Sequence, residues 1–399
     1  MTRSERILLL TLAAINFVHI VDFMILMPLG PQLMRVLNIN PQQFSLLVAA
    51  YTLSAGVASF FTAFFADRFN RKHLLLTAFI GFLAGTFACA IAPTYHLLLI
   101  ARIVAGMFGG IINAQLLAIT GDVIPYERRA QGMGILMAAF SVASVAGVPL
   151  GLFLSNMYSW HAPFLFVGFS GVALLPVAWF VVPDVVAHMS EPGEKKKIEV
   201  LKNISSDTNQ QRALLLMFVM MLGHFSIIPF IAPYMVCNVG FTEHQLTYIY
   251  FIGGGLTIFT SPYIGKLADR HGKFKIFAIF ITLSMIPVLG ITHLPATHVA
   301  IALVITSLFF VVSGGRSIPA MAMITSVVSP RQRGGFMNIN TALQHLSTGL
   351  AAFLAGLIIT KTADGKLHNY NFVGYLAVIL NLCCVFIAKK LRPVDANTK

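Results

Sequence analysis

A chain of 399 residues that is 57% hydrophobic and only 10% charged carries more apolar side chain than a water-soluble globule of that size can hide, so a bilayer must solvate it. Apolar stretches of the roughly twenty residues that cross a hydrocarbon core recur about twelve times, which leaves no length for a soluble catalytic domain. The net charge of +13 raises nucleic acid as a partner, and the location of the basic residues argues against it.

In chain order the spans are predicted from Ile7 to Leu29, Phe44 to Phe65, His73 to Ala92, Leu97 to Thr120, Met133 to Ser155 and Pro163 to Val182. A second series runs from Ala213 to Val236, Leu246 to Leu267, Phe274 to His293, Val299 to Val328, Phe336 to Thr360 and Val373 to Ala388. The fold class is therefore an all-α polytopic membrane protein with twelve transmembrane helices. Met1 to Arg6 is a short charged start with no small-residue cleavage site after the first span, so that span is read as retained. Cys89, Cys237, Cys383 and Cys384 lie in or at the ends of apolar spans without metal-ligand spacing, and neither a metal nor a disulfide is expected.

If the chain starts in the cytoplasm, the cytoplasmic segments collect Arg68, Arg71, Lys72, Arg128, Arg129, the lysine run Lys195 to Lys197, and Lys389 and Lys390. Only Arg35, Lys361 and Lys366 fall outside. This asymmetry is the positive-inside pattern, and an even number of spans then puts both termini in the cytoplasm. The charge is topological, and no nucleic-acid partner is expected.

The longest polar stretch, 184–212, separates a first bundle at 1–183 from a second at 213–399 that ends in a short cytoplasmic tail. The two series repeat in register: His19 matches His224 (224 − 19 = 205), and at the same offset Pro28 matches Pro233, Gly109-Gly110 matches Gly314-Gly315, and Arg128 matches Arg333. Copies related in this way share one orientation, which means two pseudo-symmetric six-helix bundles about an axis along the membrane normal.

Between the second and third spans stands Ala63-Phe64-Phe65-Ala66-Asp67-Arg68-Phe69-Asn70-Arg71-Lys72, and between the eighth and ninth stands Gly265-Lys266-Leu267-Ala268-Asp269-Arg270-His271-Gly272-Lys273. Both resemble the loop motif of the major facilitator superfamily, G-x-L-a-D-r-x-G-r-k; the first copy departs from it at Ala63 and Asn70. Asn or Gly at the turn tolerates a left-handed backbone, and the carboxylate can meet a neighbouring helix N-terminus or arginine. The resemblance implies a conformational latch at Asp67, Arg71, Asp269, Arg270, Gly265 and Gly272. Arg102-Ile103-Val104-Ala105-Gly106-Met107-Phe108-Gly109 resembles the family's fourth-helix pattern R-x-x-x-G-x-x-G, which the family associates with coupling. Gly147-Val148-Pro149-Leu150-Gly151 is similar to the fifth-helix motif of the bacterial drug:proton antiporter and sugar-efflux (arabinose efflux permease-like) branch, with Val148 altering the spacing. The resemblance spans the chain and implies the major facilitator fold, a small-molecule substrate, the bilayer as surroundings, a monomer, and a bacterial inner membrane.

Of the 14 carboxylates, Asp22 alone lies well inside an apolar span. An intramembrane charge costs on the order of 3 kcal/mol, so Asp22 and Arg102 need a cavity or a partner, and both fall in the outer half of the membrane. Asn16, His19 and Asp22 are spaced three apart and form a predicted polar stripe along a cavity. A change of water access or partner at Asp22 would load and release a proton, which assigns Asp22, Arg102 and His19 to proton coupling. Asn16, Asn113, Gln115, His224, Arg316, Asn340 and Gln344 are candidate lining residues of the substrate cavity; Arg316 is predicted to cluster with Asn338, Asn340, Gln344 and His345. No Walker motif, zinc pattern or nucleophile elbow occurs, so no enzyme, cofactor or ATP-driven pump is expected. The leading reading is export of a small organic solute in exchange for protons by alternating access. Uptake or facilitated passage of an anionic metabolite competes with it, and a receptor or lipid scramblase is the alternative from another class.

Overall fold

The computed structural model describes residues 1–186, 201–329 and 332–394, with the side chains of 63–65, 67, 126, 127, 129 and 130 left aside. Twelve long helices organise it: α1 Arg3–Ile25, α2 Pro41–Phe65, α3 Arg71–Ile91, α4 Tyr95–Val123, α5 Gln131–Met157, α6 Ala162–Val181, α7 Thr208–Val239, α8 Leu246–His271, α9 Lys273–Thr292, α10 Val299–Ser326, α11 Arg333–Ile358 and α12 Tyr370–Lys389. Eleven of them are long and apolar enough to cross a membrane. The remaining one, α8, has 26 residues, enough for a crossing at about 1.5 Å per residue, but Gly253-Gly254-Gly255, Thr257, Thr260 and Ser261 dilute its hydropathy.

The ends follow local chemistry. Thr2 and Glu5 form a capping box that starts α1, and Asn40 with Gln43 does the same for α2. Helix α7 begins at Thr208, earlier than the predicted Ala213, because Asp207 accepts from the amides of Asn209 and Gln210 and so carries the helix into the polar stretch. The adjoining residues 201–206 are also helical, so the polar divide is structured on its second side; 187–200 lie outside the described residues.

Two departures involve glycine, asparagine and proline. Asn70, expected in a left-handed turn, has φ −59° and instead acts as a cap: its Oδ1 accepts from Lys72 N at 3.0 Å, and its Nδ2 donates to Asp184 Oδ1 at 2.7 Å. Gly272, its counterpart between α8 and α9, does take a positive φ of 93°. In α5, Pro149 has no N–H to give the carbonyl one turn back, and the helix absorbs the break as a π-turn at Ala143–Gly147.

Six helices pack into each bundle, and the bundles meet along α2 with α11 and α5 with α8. Of the two membrane faces, the one carrying both chain termini is called here the terminal face. On the opposite face one continuous apolar core draws on both bundles, from Leu26, Phe44 and Phe164 to Phe230, Tyr370 and Val373. Phe44 meets Phe230 edge-on at 5.9 Å, and Arg35 Nη1 lies 2.6 Å from Glu243 Oε1 across the bundle boundary. Toward the terminal face the cores separate, one around Leu75, Phe79 and Leu136 and another around Met217, Phe277 and Phe336. Among the described residues, the buried apolar core is thus shared by both bundles on the opposite face and divided between them toward the terminal face.

Candidate functional site

The site in the first bundle is built by glycines. A methyl group on Gly106 would lie 2.2 Å from the Tyr51 carbonyl oxygen, and one on Gly110 would lie 2.2 Å from the Ala55 oxygen. Their absence lets α4 approach α2 backbone to backbone, and Ser59 Oγ seals the contact by donating to Gly110 O at 3.0 Å. The same closeness lays the Tyr51 ring over the Arg102 guanidinium, 4.2 Å from the ring centroid. On the other side, Gly147 and Gly151 of α5 leave room for Val21 and Ile25 of α1. Helix α1 is held against α5, with its polar residues turned into the bundle.

Asp22 and Arg102 face each other there. Arg102 Nη1 donates to Asp22 Oδ2 at 2.9 Å and to Asp22 O at 3.2 Å, and Thr86 Oγ1 donates to Asp22 Oδ1 at 3.1 Å. Both charged side chains are 0% exposed. Among the described residues, Arg102 Nε and Nη2 have no nitrogen or oxygen hydrogen-bond partner, nor do the Tyr51 hydroxyl and both ring nitrogens of His19. His19 sits between Tyr51 and Phe82, at 6.2 and 5.8 Å between centroids. A methyl on Gly109 would touch both the Tyr51 hydroxyl and His19 Nε2, which locates those two polar groups at one point. His345 of α11 lies within electrostatic reach of His19 across the bundle boundary. A buried pair with spare donors and a histidine beside it can exchange one hydrogen-bonded arrangement for another when water or a proton arrives.

The predicted stripe along α1 divides. Residues three apart rotate by about 60° around a helix, so over six residues the facing neighbour changes. Asn16 does not line a cavity; it donates to the Leu136 carbonyl of α5 at 3.0 Å and is buried. His19 and Asp22 turn toward α2, α3 and α4.

The second bundle departs further from expectation. Arg316 does not cluster with the α11 polar residues; it points into its own bundle, where Nη1 donates to Asn381 Oδ1 at 2.7 Å and to Ser284 Oγ at 3.3 Å. Its Nη2 lies 3.0 Å from His224 Nδ1, and the His224 ring stacks on Phe309 at 5.6 Å. Arg316 is 2% exposed and has no carboxylate partner among the described residues. Among the described residues Asn340 is fully buried with neither amide atom partnered, Gln115 is buried with an unpartnered Oε1, and Asn113 and Gln344 are half-buried. Tyr51, Thr86, Ser284 and Asn381 were not singled out from sequence. A hydroxyl or amide in an apolar span reads the same whether it bonds its own helix or reaches across to another.

At the loop motifs, Arg71 Nε pairs with Asp122 Oδ2 at 2.5 Å, tying the start of α3 to the end of α4. The side chain of Asp67 lies outside the described residues. In the second copy Asp269 and Arg270 are exposed and make no ion pair among the described residues, while Gly265 has only Ile318 nearby.

The sequence model of the major facilitator superfamily matches residues 12–314 and 213–399. The chain belongs to that superfamily. Its curated relatives include the uncharacterized MFS-type transporter YceJ of Bacillus subtilis, 23% identical with 92% of each chain covered. The inner membrane transport protein YdhP of Escherichia coli is 26% identical, again over 92% of each. Among solved structures, a D-xylose-proton symporter superposes with a TM-score of 0.80 at 14% identity, covering 98% of this chain and 99% of the other. A bacterial homologue of the lysosomal transporter Spinster, in an inward-facing and unoccupied conformation, gives 0.72 at 16% identity over 98% and 95%. Major facilitator proteins are multi-pass secondary transporters that work by alternating access, and they are not enzymes; the two six-helix bundles, joined by a shared apolar core on one face, are the parts that such a motion moves.

Proposed function

We propose that this major facilitator exports a small organic solute in exchange for protons, from an inner membrane in which the terminal face is cytoplasmic. The observation that carries the reading is the Asp22–Arg102 pair, fully buried, in reach of His19 and set beside unpartnered donors. In the arrangement described, Arg102 neutralises the carboxylate. When the bundles rock and the opposite face opens, a proton taken up at Asp22 releases Arg102; on return, re-forming the pair expels that proton inward, and one proton has crossed per cycle. The orientation is supported by the basic residues, of which only Arg35, Lys361 and Lys366 lie on the opposite face. The direction of solute movement is supported by the resemblance of Gly147, Pro149 and Gly151 to the antiporter motif.

A second reading, carriage of an anionic metabolite, draws on Arg316, a buried cation whose partners His224, Asn381 and Ser284 are all without negative charge. Proteoliposomes loaded with a pH dye and challenged with drugs, sugars, amino acids and organic acids separate the two. A solute that drives proton movement in wild type, and binds D22N without driving any, supports exchange through Asp22. Equal solute flux in both proteins with no proton signal removes it, and flux confined to organic acids and lost in R316Q selects the second reading.

A further inference from the structure

The cytoplasmic end of the second bundle carries a recess that transport does not use. Its volume is about 550 Å³, and Arg212, Phe386, Lys389, Lys390 and Arg392 line it. Three separate stretches deliver these residues: the first turns of α7, the last turn of α12 and the segment beyond α12. That segment is fixed in place, because Asn209 of α7 donates from Nδ2 to Arg392 O at 2.7 Å and accepts from Arg392 N at 3.1 Å, while Val394 N donates to Ser326 O at 2.9 Å. The four cations therefore converge on a built concavity.

None of the four has a carboxylate partner among the described residues. The nearest acid along α7, Asp207, is spent on the N-terminus of its own helix and on Gln210 Nε2 at 3.0 Å. Like charges gathered without a counter-charge repel one another, so the recess favours an anion. The wall indicates which kind. Phe386 is 68% exposed and continues an outward stripe on α12 formed by Phe372, Tyr375, Ile379 and Leu382, at helical spacing of three and four. An exposed apolar stripe on a membrane-spanning helix is where acyl chains lie, and it leads directly into the cationic recess at headgroup depth. The matching end of α6 reads Trp179, Phe180, Val181, Val182, Pro183, Asp184, with no lysine or arginine of its own and with Lys72 of α3 over the Trp179 ring, 5.4 Å from its centroid, so its own sequence offers no such cluster.

We propose that this recess binds the phosphate headgroup of an anionic glycerophospholipid, with an acyl chain laid along the α12 stripe. Inorganic phosphate offers the same charge without the chain, and the test separates the two. Full-length protein in dodecyl maltoside is titrated with dioleoyl phosphatidylglycerol, dioleoyl phosphatidylcholine or inorganic phosphate, and bound lipid is counted by native mass spectrometry. The anionic lipid is expected to bind at least tenfold tighter than the zwitterionic one, and to weaken about fivefold for each cation removed in K389Q/K390Q/R392Q. A control with three other cytoplasmic cations changed, R3Q/R6Q/K275Q, is expected to keep the preference, as is the charge-conserving K389R/K390R/R392K. If the triple neutral variant cannot be purified, K390Q and R392Q singly each carry the same fivefold expectation. Equal binding of the two lipids, or a preference that survives neutralisation, overturns the proposal. Displacement of phosphatidylglycerol by millimolar inorganic phosphate overturns it in favour of a soluble anion.

Discussion

Replacing Asp22 by asparagine removes the anion that, among the described residues, pairs with a guanidinium that has no exposed surface. Arg102 Nη1 would keep the carbonyl of residue 22 at 3.2 Å, and the face of Tyr51 would remain 4.2 Å away. Taking one partner from a buried pair costs about 3–5 kcal/mol, and these retained contacts put D22N near the lower end, about 3 kcal/mol. R102Q strands the carboxylate with Thr86 Oγ1, 3.1 Å away, as its remaining donor, and a similar loss of about 3 kcal/mol is expected. The double variant D22N/R102Q places two neutral amides in contact, each able to satisfy the other. Its cost should be about 3–4 kcal/mol where independent sites would give about 6, a coupling energy of about 2–3 kcal/mol. Equilibrium unfolding of the four proteins in mixed dodecyl maltoside and dodecyl sulfate micelles, at one pH, measures this. Additivity to within about 0.5 kcal/mol would refute the reasoning: a carboxylate that does not sense Arg102 cannot trade it for a proton.

Three further outcomes follow from the packing. Gly106→Ala drives a methyl to within 2.2 Å of the Tyr51 carbonyl and should cost about 1–3 kcal/mol, whereas Gly121→Ala on the same helix meets no atom of the described residues within 4 Å and should be neutral or stabilising by up to about 1 kcal/mol; detergent melting curves that move equally would contradict this. R35E breaks an exposed cross-bundle ion pair worth at most about 1 kcal/mol, enough for about a fivefold shift toward opening of the opposite face. That shift should appear as faster maleimide labelling of a Phe44→Cys reporter in a background lacking the native cysteines, and E243R should reverse it; unchanged labelling would show that the pair does not gate. Gly272→Ala must hold φ near 93° and should destabilise by about 1–2 kcal/mol, in contrast to Gly265→Ala, where φ is helical and the nearest atom is at 3.9 Å; similar melting of the two would remove the turn argument.

Much of the architecture was already present in the sequence, because hydropathy and length report depth in a bilayer and little else is needed to place a spanning helix. The spans and the common depth of Asp22 and Arg102 followed from counting along the chain, and the family from the resemblance of its loop and fourth-helix motifs. The pattern Arg102-x-x-x-Gly106-x-x-Gly109 was readable as a motif. Its physical meaning, a close α2–α4 approach that lays Tyr51 over the guanidinium, appears only once the helices are packed.

What the tertiary structure alone decided is direction and partnership. Helical periodicity states which residues share a face, but not which neighbour that face meets. Thus Arg316 was expected beside Asn340 on α11 and instead reaches His224, Asn381 and Ser284, and Asn16 bonds to α5. A cap is local, yet Asn70 in that role also depends on Asp184, 114 residues away. Which face joins the bundles depends on a core shared by the two and on an ion pair between Arg35 and Glu243, 208 residues apart. The sequence by itself determined what enters the membrane and at what depth, since each apolar segment meets lipid on its own terms; the pairings that make a site had to await packing, because the energy of a buried charge is set by whichever side chains the other helices bring to it.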